Sequence, residues 1–333
     1  MLTGRFPDPV SIRLPRGGTV SFPLAIAERG DASARVGIIK DAGDDPDITN
    51  GALIVADIEW APAGSGIRFA AGAGVGIITR AGLPLAVGEP AINPAPRAMI
   101  RQMLAEVAAE HGAPPPDVKV TISVPAGERL AEKTMNARLG IIGGLSILGT
   151  TGVVIPYSCA SWIHSIHRGI DVARASGLER IAAATGATSE RAAQRLYSLP
   201  DHALIEMGDF AGATLKYLRR HPVASFIIAG GFAKLTKLAL GHLDLHSRRS
   251  RIDNDAFAEM LASLGAHAAL ADAARSAAGA GEMLVLAGGK REALARGVAA
   301  RAREVALATL SGRTAVEVAI FDRQGDLLAR AGG

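Results

Sequence analysis

Three short apolar runs in the second half of the chain each end in glycine, and each is followed by an amphipathic segment. The runs and the segments that follow them are 181–185 with 189–199, 203–207 with 210–220, and 225–229 with 233–240. Strands that alternate with helices in this way form a parallel sheet with right-handed connections. The sequence therefore predicts a Rossmann-like wound parallel sheet in the C-terminal part of the chain.

The glycines that end these runs mark a candidate edge for ligand binding. Wound parallel sheets bind ligands outside the carboxyl ends of their strands. We therefore expect a ligand where the three predicted strands end. Those ends are Thr185-Gly186, Gly208-Asp209 and Gly230-Gly231.

The length of 333 residues exceeds the usual domain of about 100–200 residues, which predicts two domains. Residues 1–138 combine apolar runs with a helical segment at 98–109 and predict an α+β domain. Residues 139–333 hold the wound sheet, an Ala-rich helical region at 253–310 and a C-terminal hairpin. The predicted fold class is thus α/β plus α+β.

Two features of the first part predict particular elements. A turn signal at 15–18 separates the extended runs 10–14 and 19–26, which predicts a hairpin. A further apolar run at 53–60 predicts a strand.

The composition excludes several classes of protein. A net charge of +4 and 13 aromatic residues are not typical of a nucleic-acid-binding protein. The single cysteine excludes a disulfide framework and Cys-clustered metal sites, and we expect no metal. Residues 139–163 carry no Asp, Glu, Lys or Arg, but glycines and Pro156 interrupt them, so they predict a buried strand-turn-strand element rather than a membrane helix. With no signal peptide at the start, a cytoplasmic protein without a membrane partner is expected.

The segment 40–52 is the densest polar cluster. Asp41, Asp44, Asp45 and Asp47 lie within seven positions, and the glycine and proline among them disfavour a helix. The spacing does not fit an EF-hand. Two interpretations stay open: a solvated turn between strands, or crowded carboxylates that handle a proton or cation.

Other motifs favour structural interpretations. The Gly-x-Gly-x-Gly run at 72–76 lacks the third glycine and the helix of a dinucleotide fingerprint, and predicts a bent hairpin or a bulge. His164 and His167 could share a helix face without forming a metal site, and Trp162 nearby is interpreted as a packing residue. P-loop, His-Glu-x-x-His and Gly-x-Ser-x-Gly motifs are absent from the sequence.

A basic cluster follows the third β-α unit. Lys234 and Lys237 share a helix face, and HSRRSR at 246–251 follows. A solvated helix end is one interpretation. A pocket for a polyanion is the other, because Arg pairs with carboxylates through two hydrogen bonds.

Taken together, the chain resembles the CbiD family, the cobalt-precorrin-5B C1-methyltransferases of cobalamin biosynthesis. The matching segments span about four fifths of the chain in the family's order. They are KDAGDDPDITNGA at 40–52, GAGVGIITRAGLPLAVGEPAINPAPRAMI at 72–100, ISVPAGERLAEKTMNARLGIIGGLSILGTTGVV at 122–154, EMGDFAGATL at 206–215 and GGFAKLTKLALGHLDLHSRRS at 230–250.

The resemblance implies methylation of C1 of cobalt-precorrin-5B by S-adenosyl-L-methionine, which gives cobalt-precorrin-6A. It also implies three groups of site residues. The catalytic candidates, which would stabilise developing positive charge or accept a proton, are Asp41, Asp44 and Asp45. The candidates that bind the methyl donor are Thr150, Thr151, Gly152, Thr185, Gly186, Glu206, Gly208, Asp209, Gly230 and Gly231. The candidates that hold the acidic macrocycle are Asn93, Arg97, Arg138, Lys234, Lys237, His246, Ser247, Arg248 and Arg249.

One departure from the family and two alternatives remain open. Members usually carry a Thr-Thr-Gly turn and an Ala-rich helix ahead of the segment that matches residues 2–9. The helix would cover an apolar face of the first domain, so we expect this form to cover that face with a partner chain, as a homo-oligomer would, or to be less stable.

One alternative function is a tetrapyrrole-binding protein without catalysis. A nicotinamide oxidoreductase is the other, and the absence of a Gly-x-Gly-x-x-Gly motif counts against it.

Overall fold

The chain has a mixed α/β structure, seen here in a computed structural model. The structure describes residues 1–14, 17–149, 154, 158–247 and 252–332. Two compact units divide it, Met1–Ser158 and Cys159–Gly333.

The first unit is built around a five-stranded sheet with the strand order β3-β4-β5-β9-β6. All neighbours in this sheet are antiparallel except β6 and β9, which are parallel. Its strands are β3 (Ile26–Arg29), β4 (Ser33–Ile39), β5 (Leu53–Trp60), β6 (Ile67–Ala71) and β9 (Val118–Ser123). Side chains of β9 that point to one face, among them Val118, Val120 and Ile122, are buried in the core of this unit.

The predicted N-terminal hairpin is confirmed, with one correction. Strand β1 (Val10–Arg13) pairs antiparallel with β2 (Thr19–Phe22). The extended run predicted to continue to residue 26 ends at Phe22, because Pro23 has no N–H group for the ladder. The chain then begins β3 in the larger sheet.

The Gly-x-Gly-x-Gly run and the two residues after it form two very short strands that pair with other segments rather than with each other, so they are not the predicted bent hairpin. Strand β7 (Gly74–Val75) pairs parallel with β11 (Gly144–Leu145), whereas β8 (Ile77–Ile78) pairs antiparallel with β10 (Ile141–Ile142). A Cβ atom on Gly74 would lie 2.0 Å from the carbonyl oxygen of Val124. Only glycine permits this approach between backbones.

Two helices complete the first unit, α1 (Pro94–Glu110) and α2 (Gly127–Ala131). Helix α1 begins at a proline, which suits the first turn because its missing N–H would have no partner there. The helical segment predicted at 98–109 is therefore confirmed and is one turn longer at its start.

The second unit contains a five-stranded sheet with the strand order β13-β12-β14-β15-β16. The first four strands are parallel, and only the last pair is antiparallel. The strands are β12 (Arg180–Ala184), β13 (Leu204–Glu206), β14 (Ser225–Gly231), β15 (Ala315–Phe321) and β16 (Leu327–Ala331). The three β-α units and the C-terminal hairpin predicted from the sequence are thus present.

Helices cover both faces of this sheet. Ile181 and Ala183 of β12 lie in one apolar cluster, and Ala182 and Ala184 lie in another on the opposite face. The helices are α3 (Cys159–Ala175), α4 (Ala187–Tyr197), α5 (Ala211–Arg220), α6 (Phe232–Ala239), α7 (Asn254–Ser263), α8 (Ala268–Ser276), α9 (Ala280–Leu286) and α10 (Arg291–Leu310). Because both faces are buried, the strands are apolar almost throughout.

The uncharged segment 139–163 is only partly the predicted strand-turn-strand element. Strands β10 and β11 are present, but from Cys159 the chain is helical, in α3. Since β10 and β11 pair with β8 and β7, the first compact unit runs past residue 138 to Ser158. In the described part of the chain, no helix is long and apolar enough to cross a membrane.

Candidate functional site

The ends of β12, β13 and β14 lie side by side in the sheet of the second unit. Ala184 is in register with Glu206 on one side and with Ala229 on the other. The N–H of Thr185 donates to the carbonyl oxygen of Ala229 at 2.9 Å, and the N–H of Gly208 donates to that of Ala184 at 3.1 Å. The strand ends predicted to bind a ligand are therefore adjacent.

The glycines at this edge differ in the space around them. A Cβ atom built on Gly186 or Gly231 would meet no atom within 4 Å, so the backbone there borders open space. Gly230, in contrast, is packed against the side chain of Thr185, whose Oγ1 would lie 2.9 Å from such a Cβ atom. Gly208 has a φ of +56°, in the left-handed region that favours glycine. The open edge is thus formed by Gly186 and Gly231.

Trp162 lies at the same edge, which the sequence did not predict. Its indole Nε1–H donates to the carbonyl oxygen of Glu206 at 3.0 Å, and 46% of the residue is exposed. A Cβ atom on Gly208 would lie 3.4 Å from the Trp162 ring, and the ring of Phe210 is 6.3 Å away between centroids. Trp162 thus makes packing contacts, as predicted, but nearly half of the residue stays exposed.

Two acidic residues at the end of β13 have different surroundings. The carboxylate of Asp209 accepts a hydrogen bond from the ammonium of Lys234 and forms an ion pair with it. Glu206 is exposed, and it is in register with the end of β12. Of the two acids predicted to bind a ribose, Glu206 is the one that presents an exposed carboxylate.

The predicted macrocycle-binding lysines lie in α6, next to this edge. Lys237 is buried, and its ammonium donates to the carbonyl oxygen of Leu245 at 3.0 Å. Burial, and secondarily the charge of Lys234, lower the pKa of Lys237. Lys234 also contacts the Leu245 carbonyl, at 3.4 Å. Both lysines therefore hold the segment that leads to the basic cluster.

Part of that basic cluster lies beyond the described residues. His246 and Ser247 are exposed, and the N–H of His246 donates to Asp244 Oδ1 at 3.0 Å. Five predicted site residues fall outside the described ranges. They are Thr150, Thr151, Gly152, Arg248 and Arg249.

The aspartate cluster forms a turn between β4 and β5. Asp41 and Asp44 are exposed and Asp45 is half-buried. The Oδ1 atom of Asp41 accepts the N–H of Gly43 at 2.8 Å, which closes a tight turn. The segment is thus a solvated turn between strands, and the handling of a proton or cation by its carboxylates stays a prediction.

Asp47 is the most strongly bonded carboxylate of this cluster. Its two oxygens accept hydrogen bonds from Lys40 Nζ and from the Thr49 hydroxyl, the latter at 2.7 Å. Burial raises the pKa of Asp47, but the hydrogen bonds from Lys40 and Thr49 together lower it below its ordinary value. This residue stabilises the turn that carries the three predicted catalytic residues.

Arg97 and Asn93 lie at the start of α1 in the first unit. The guanidinium of Arg97 donates to Glu89 at 2.7 Å and to the carbonyl oxygens of Ile92 and Pro90 at 2.7 and 3.0 Å. The backbone N–H of Asn93 donates to Ile147 at 2.9 Å. Arg97 therefore fixes the loop that leads into the helix.

Arg138 is half-buried, and its carbonyl oxygen accepts a hydrogen bond from Arg80 at 3.2 Å. Nearby, Asn136 is 7% exposed and its side-chain N–H donates to the carbonyl oxygen of Gly144 at 3.0 Å. This buried amide orders the segment between α2 and β10, and no charge pattern in the sequence singles it out.

Within the described residues, no group of three or more His, Cys, Asp or Glu side chains is arranged to hold a metal ion. His164 and His167 both lie in α3. The ring of His167 stacks on that of Tyr217, with 3.8 Å between centroids. The observed role of His167 is therefore aromatic packing.

Comparisons with known proteins identify the family. The CbiD family model matches residues 1–156, and the model of the CbiD C-terminal domain matches residues 244–332. The cobalt-precorrin-5B C(1)-methyltransferase of Brucella anthropi is 54% identical over 331 residues, which is 99% of this chain and 90% of that protein. The protein of the same name from Paramagnetospirillum magneticum is 55% identical over 333 residues, 99% of this chain and 92% of that protein.

A solved structure also matches, that of a cobalamin biosynthesis protein from Archaeoglobus fulgidus. The two sequences are 29% identical, and the match covers 72% of this chain and 73% of that chain. The TM-score is 0.35. A TM-score this low does not establish a common arrangement, so the assignment rests on sequence. Two family models, together with relatives that are more than half identical along nearly the whole chain, show that this protein belongs to the CbiD family.

Proposed function

We propose that this chain is the methyltransferase that its relatives are named for. It would transfer a methyl group from S-adenosyl-L-methionine to C1 of cobalt-precorrin-5B in cobalamin biosynthesis. The observation that carries the proposal is the edge of the second unit, where the open glycines Gly186 and Gly231 and the exposed residue Glu206 all lie at the carboxyl ends of three adjacent parallel strands. Backbone that borders open space, next to an acid at a strand end, suits a nucleoside ligand.

The residues present at this edge fit the methyl donor. Gly186 and Gly231 leave the space that a Cβ atom would fill, so a ligand can approach the backbone there. Glu206 would accept hydrogen bonds from the ribose hydroxyls. Asp209, which is already paired with Lys234, would act on the ligand through that lysine. We interpret this unit, Cys159–Gly333, as a Rossmann-like domain.

The basic residues would hold the acidic macrocycle. Lys234 has 35% of its side chain exposed and so retains access to a ligand, whereas the buried Lys237 would act by holding the Leu245 carbonyl. The role of the other residues predicted to hold the macrocycle stays a prediction. So does the role of Asp41, Asp44 and Asp45 in stabilising positive charge or accepting a proton.

The chemistry needs positioning more than an activated group on the protein. When bound, the donor would supply an electrophilic methyl group to C1 of the macrocycle and leave as S-adenosylhomocysteine. Holding the two reactants in a reactive geometry supplies much of the acceleration. The protein's own residues orient both ligands and exclude water.

A labelled-methyl assay tests this function. Protein, S-adenosyl-L-methionine carrying a ¹³C methyl group and cobalt-precorrin-5B are expected to give a macrocycle labelled at C1, together with S-adenosylhomocysteine. Binding of the macrocycle without label transfer and without binding of S-adenosylhomocysteine would favour the binding-protein alternative. Binding of NADH would favour the oxidoreductase.

A matched pair of variants locates the donor in the same assay. Gly186 and Gly279 each precede a helix, with φ of 174° and 167°, and neither would place a Cβ atom near another atom. Gly186→Val is expected to raise the KM for the donor, because its side chain occupies the proposed cradle. Gly279→Val, between helices α8 and α9 and not at a strand end, is expected to leave that KM unchanged.

A further inference from the structure

We infer that Trp162 is the surface on which the adenine ring of the methyl donor stacks, because its exposed indole is anchored at the end of β13 beside Glu206 and Gly208. This inference rests on the proposed function and adds a residue that the family resemblance and the predicted site do not include. It places the adenine base of the donor, rather than its ribose or methionine part, at the end of β13.

The first observation is that the ring is held in place while much of it is exposed. The Nε1–H of Trp162 donates to the carbonyl oxygen of Glu206 at 3.0 Å, a contact between residues 44 positions apart in sequence. Phe210 lies beside the ring, tilted by 46° with 6.3 Å between centroids. One polar bond and one aromatic neighbour thus fix the indole, and 46% of the residue stays accessible. A fixed aromatic face loses little conformational freedom when a ligand stacks on it.

The second observation is the chemistry of the neighbours. The residue that accepts the indole N–H through its backbone, Glu206, presents an exposed carboxylate from the same position. Gly208 adds no side chain next to the ring, where a Cβ atom would already lie 3.4 Å from Trp162. An aromatic face and an acid that are adjacent match the two parts of a nucleoside, the flat base and the ribose hydroxyls.

The third observation is a comparison within the chain. It has two tryptophans, and Trp60 is exposed to the same degree, 47%, at the end of β5 in the other unit. Unlike Trp162, Trp60 does not lie at the glycine-bearing strand ends of the parallel sheet. It is therefore a matched control for loss of an exposed indole.

Fluorescence and binding measurements test the inference. In Trp60→Phe, Trp162 is the only indole, and with excitation selective for tryptophan S-adenosylhomocysteine is expected to quench its emission in a saturable way. Removing a stacked aromatic ring weakens base binding by about 5- to 150-fold. Calorimetry with S-adenosylhomocysteine is therefore expected to give such a loss for Trp162→Ala, near-wild-type affinity for Trp162→Phe, and no change for Trp60→Ala.

The outcomes separate this inference from the function on which it rests. Tight binding to the wild type, with equal affinity for Trp162→Ala and no quenching in Trp60→Phe, would overturn the stacking role and leave the methyltransferase proposal standing. Failure of the wild type to bind S-adenosylhomocysteine would overturn both. If Trp162→Ala does not fold, the presence or absence of saturable quenching in Trp60→Phe decides the question.

Discussion

The ammonium of Lys234 pairs with the carboxylate of Asp209, so helix α6 is tied to the end of strand β13. The same lysine contacts the carbonyl oxygen of Leu245. This ion pair thus links the end of β13 with the segment that leads to the basic cluster. Its two members were assigned from sequence to different ligands, one to the donor and the other to the macrocycle.

A double-mutant cycle on this pair measures how strongly it is coupled. We expect a coupling free energy of about 0.5–1 kcal/mol, because both side chains are partly exposed and water screens the charges. Urea unfolding of Asp209→Asn, Lys234→Gln and the double variant gives the three changes in unfolding free energy, relative to the wild type, that the cycle requires. Strictly additive effects would mean that the two side chains do not interact in solution.

Glu206→Gln is expected to raise the KM for S-adenosyl-L-methionine about tenfold, because a charged acceptor for the ribose hydroxyls is lost. The KM for the macrocycle should change little. Glu179→Gln is the matched control, since Glu179 is an exposed acid that precedes β12 at the opposite end of the sheet. Equal effects of the two variants on the donor KM would argue against a ribose contact at Glu206.

Asp47→Asn is expected to destabilise the protein by about 1 kcal/mol at pH 7, since Asp47 is a partly exposed partner of Lys40. The folded-state pKa of Asp47 lies below its ordinary value of 3.8, so the unfolded chain takes up the proton first as the pH falls. The stabilisation by Asp47 is therefore complete above pH 3.8 and disappears as the pH falls through the folded-state pKa.

Urea unfolding of the wild type and Asp47→Asn at several pH values tests this dependence. The difference in unfolding free energy should shrink below pH 3.8. A difference that grows in acid would have the wrong sign for a carboxylate stabilised in its charged form.

Gly74→Ala is expected to cost several kcal/mol of stability, because its Cβ atom would overlap the carbonyl oxygen of Val124 and because φ is +74°. Gly64→Ala is the control for backbone strain alone. Gly64 has a φ of +78° and nothing within 4 Å of a Cβ atom, so only about 1–2 kcal/mol is expected. Thermal unfolding of both variants measures the two costs, and equal losses would show that Gly74 is not tightly packed.

Much of the fold was predictable from local pattern. Strand β5 begins and ends where its apolar run does, at Leu53 and Trp60, because the glycine and proline around it end the extended segment. The β-α units were found for the same reason, since each strand is apolar and each helix has one apolar face. The split at Pro23 was missed because alternation alone does not show which N–H groups a ladder needs.

The candidate site was less predictable, because its contacts join distant parts of the chain. Trp162 reaches Glu206 across 44 residues, and Lys234 reaches Asp209 across 25. Neither spacing carries a periodic signal. Residue type identified the aspartate cluster, but only the contacts of Lys40 and Thr49 distinguish the structural Asp47 from the aspartates proposed for catalysis.

A crystal structure of this protein with S-adenosylhomocysteine would locate the donor site. Ligand density is expected at the ends of β12, β13 and β14, with the ribose near Glu206 and the adenine against Trp162. Density located wholly within residues 1–158, away from Gly186 and Gly231, would contradict this placement.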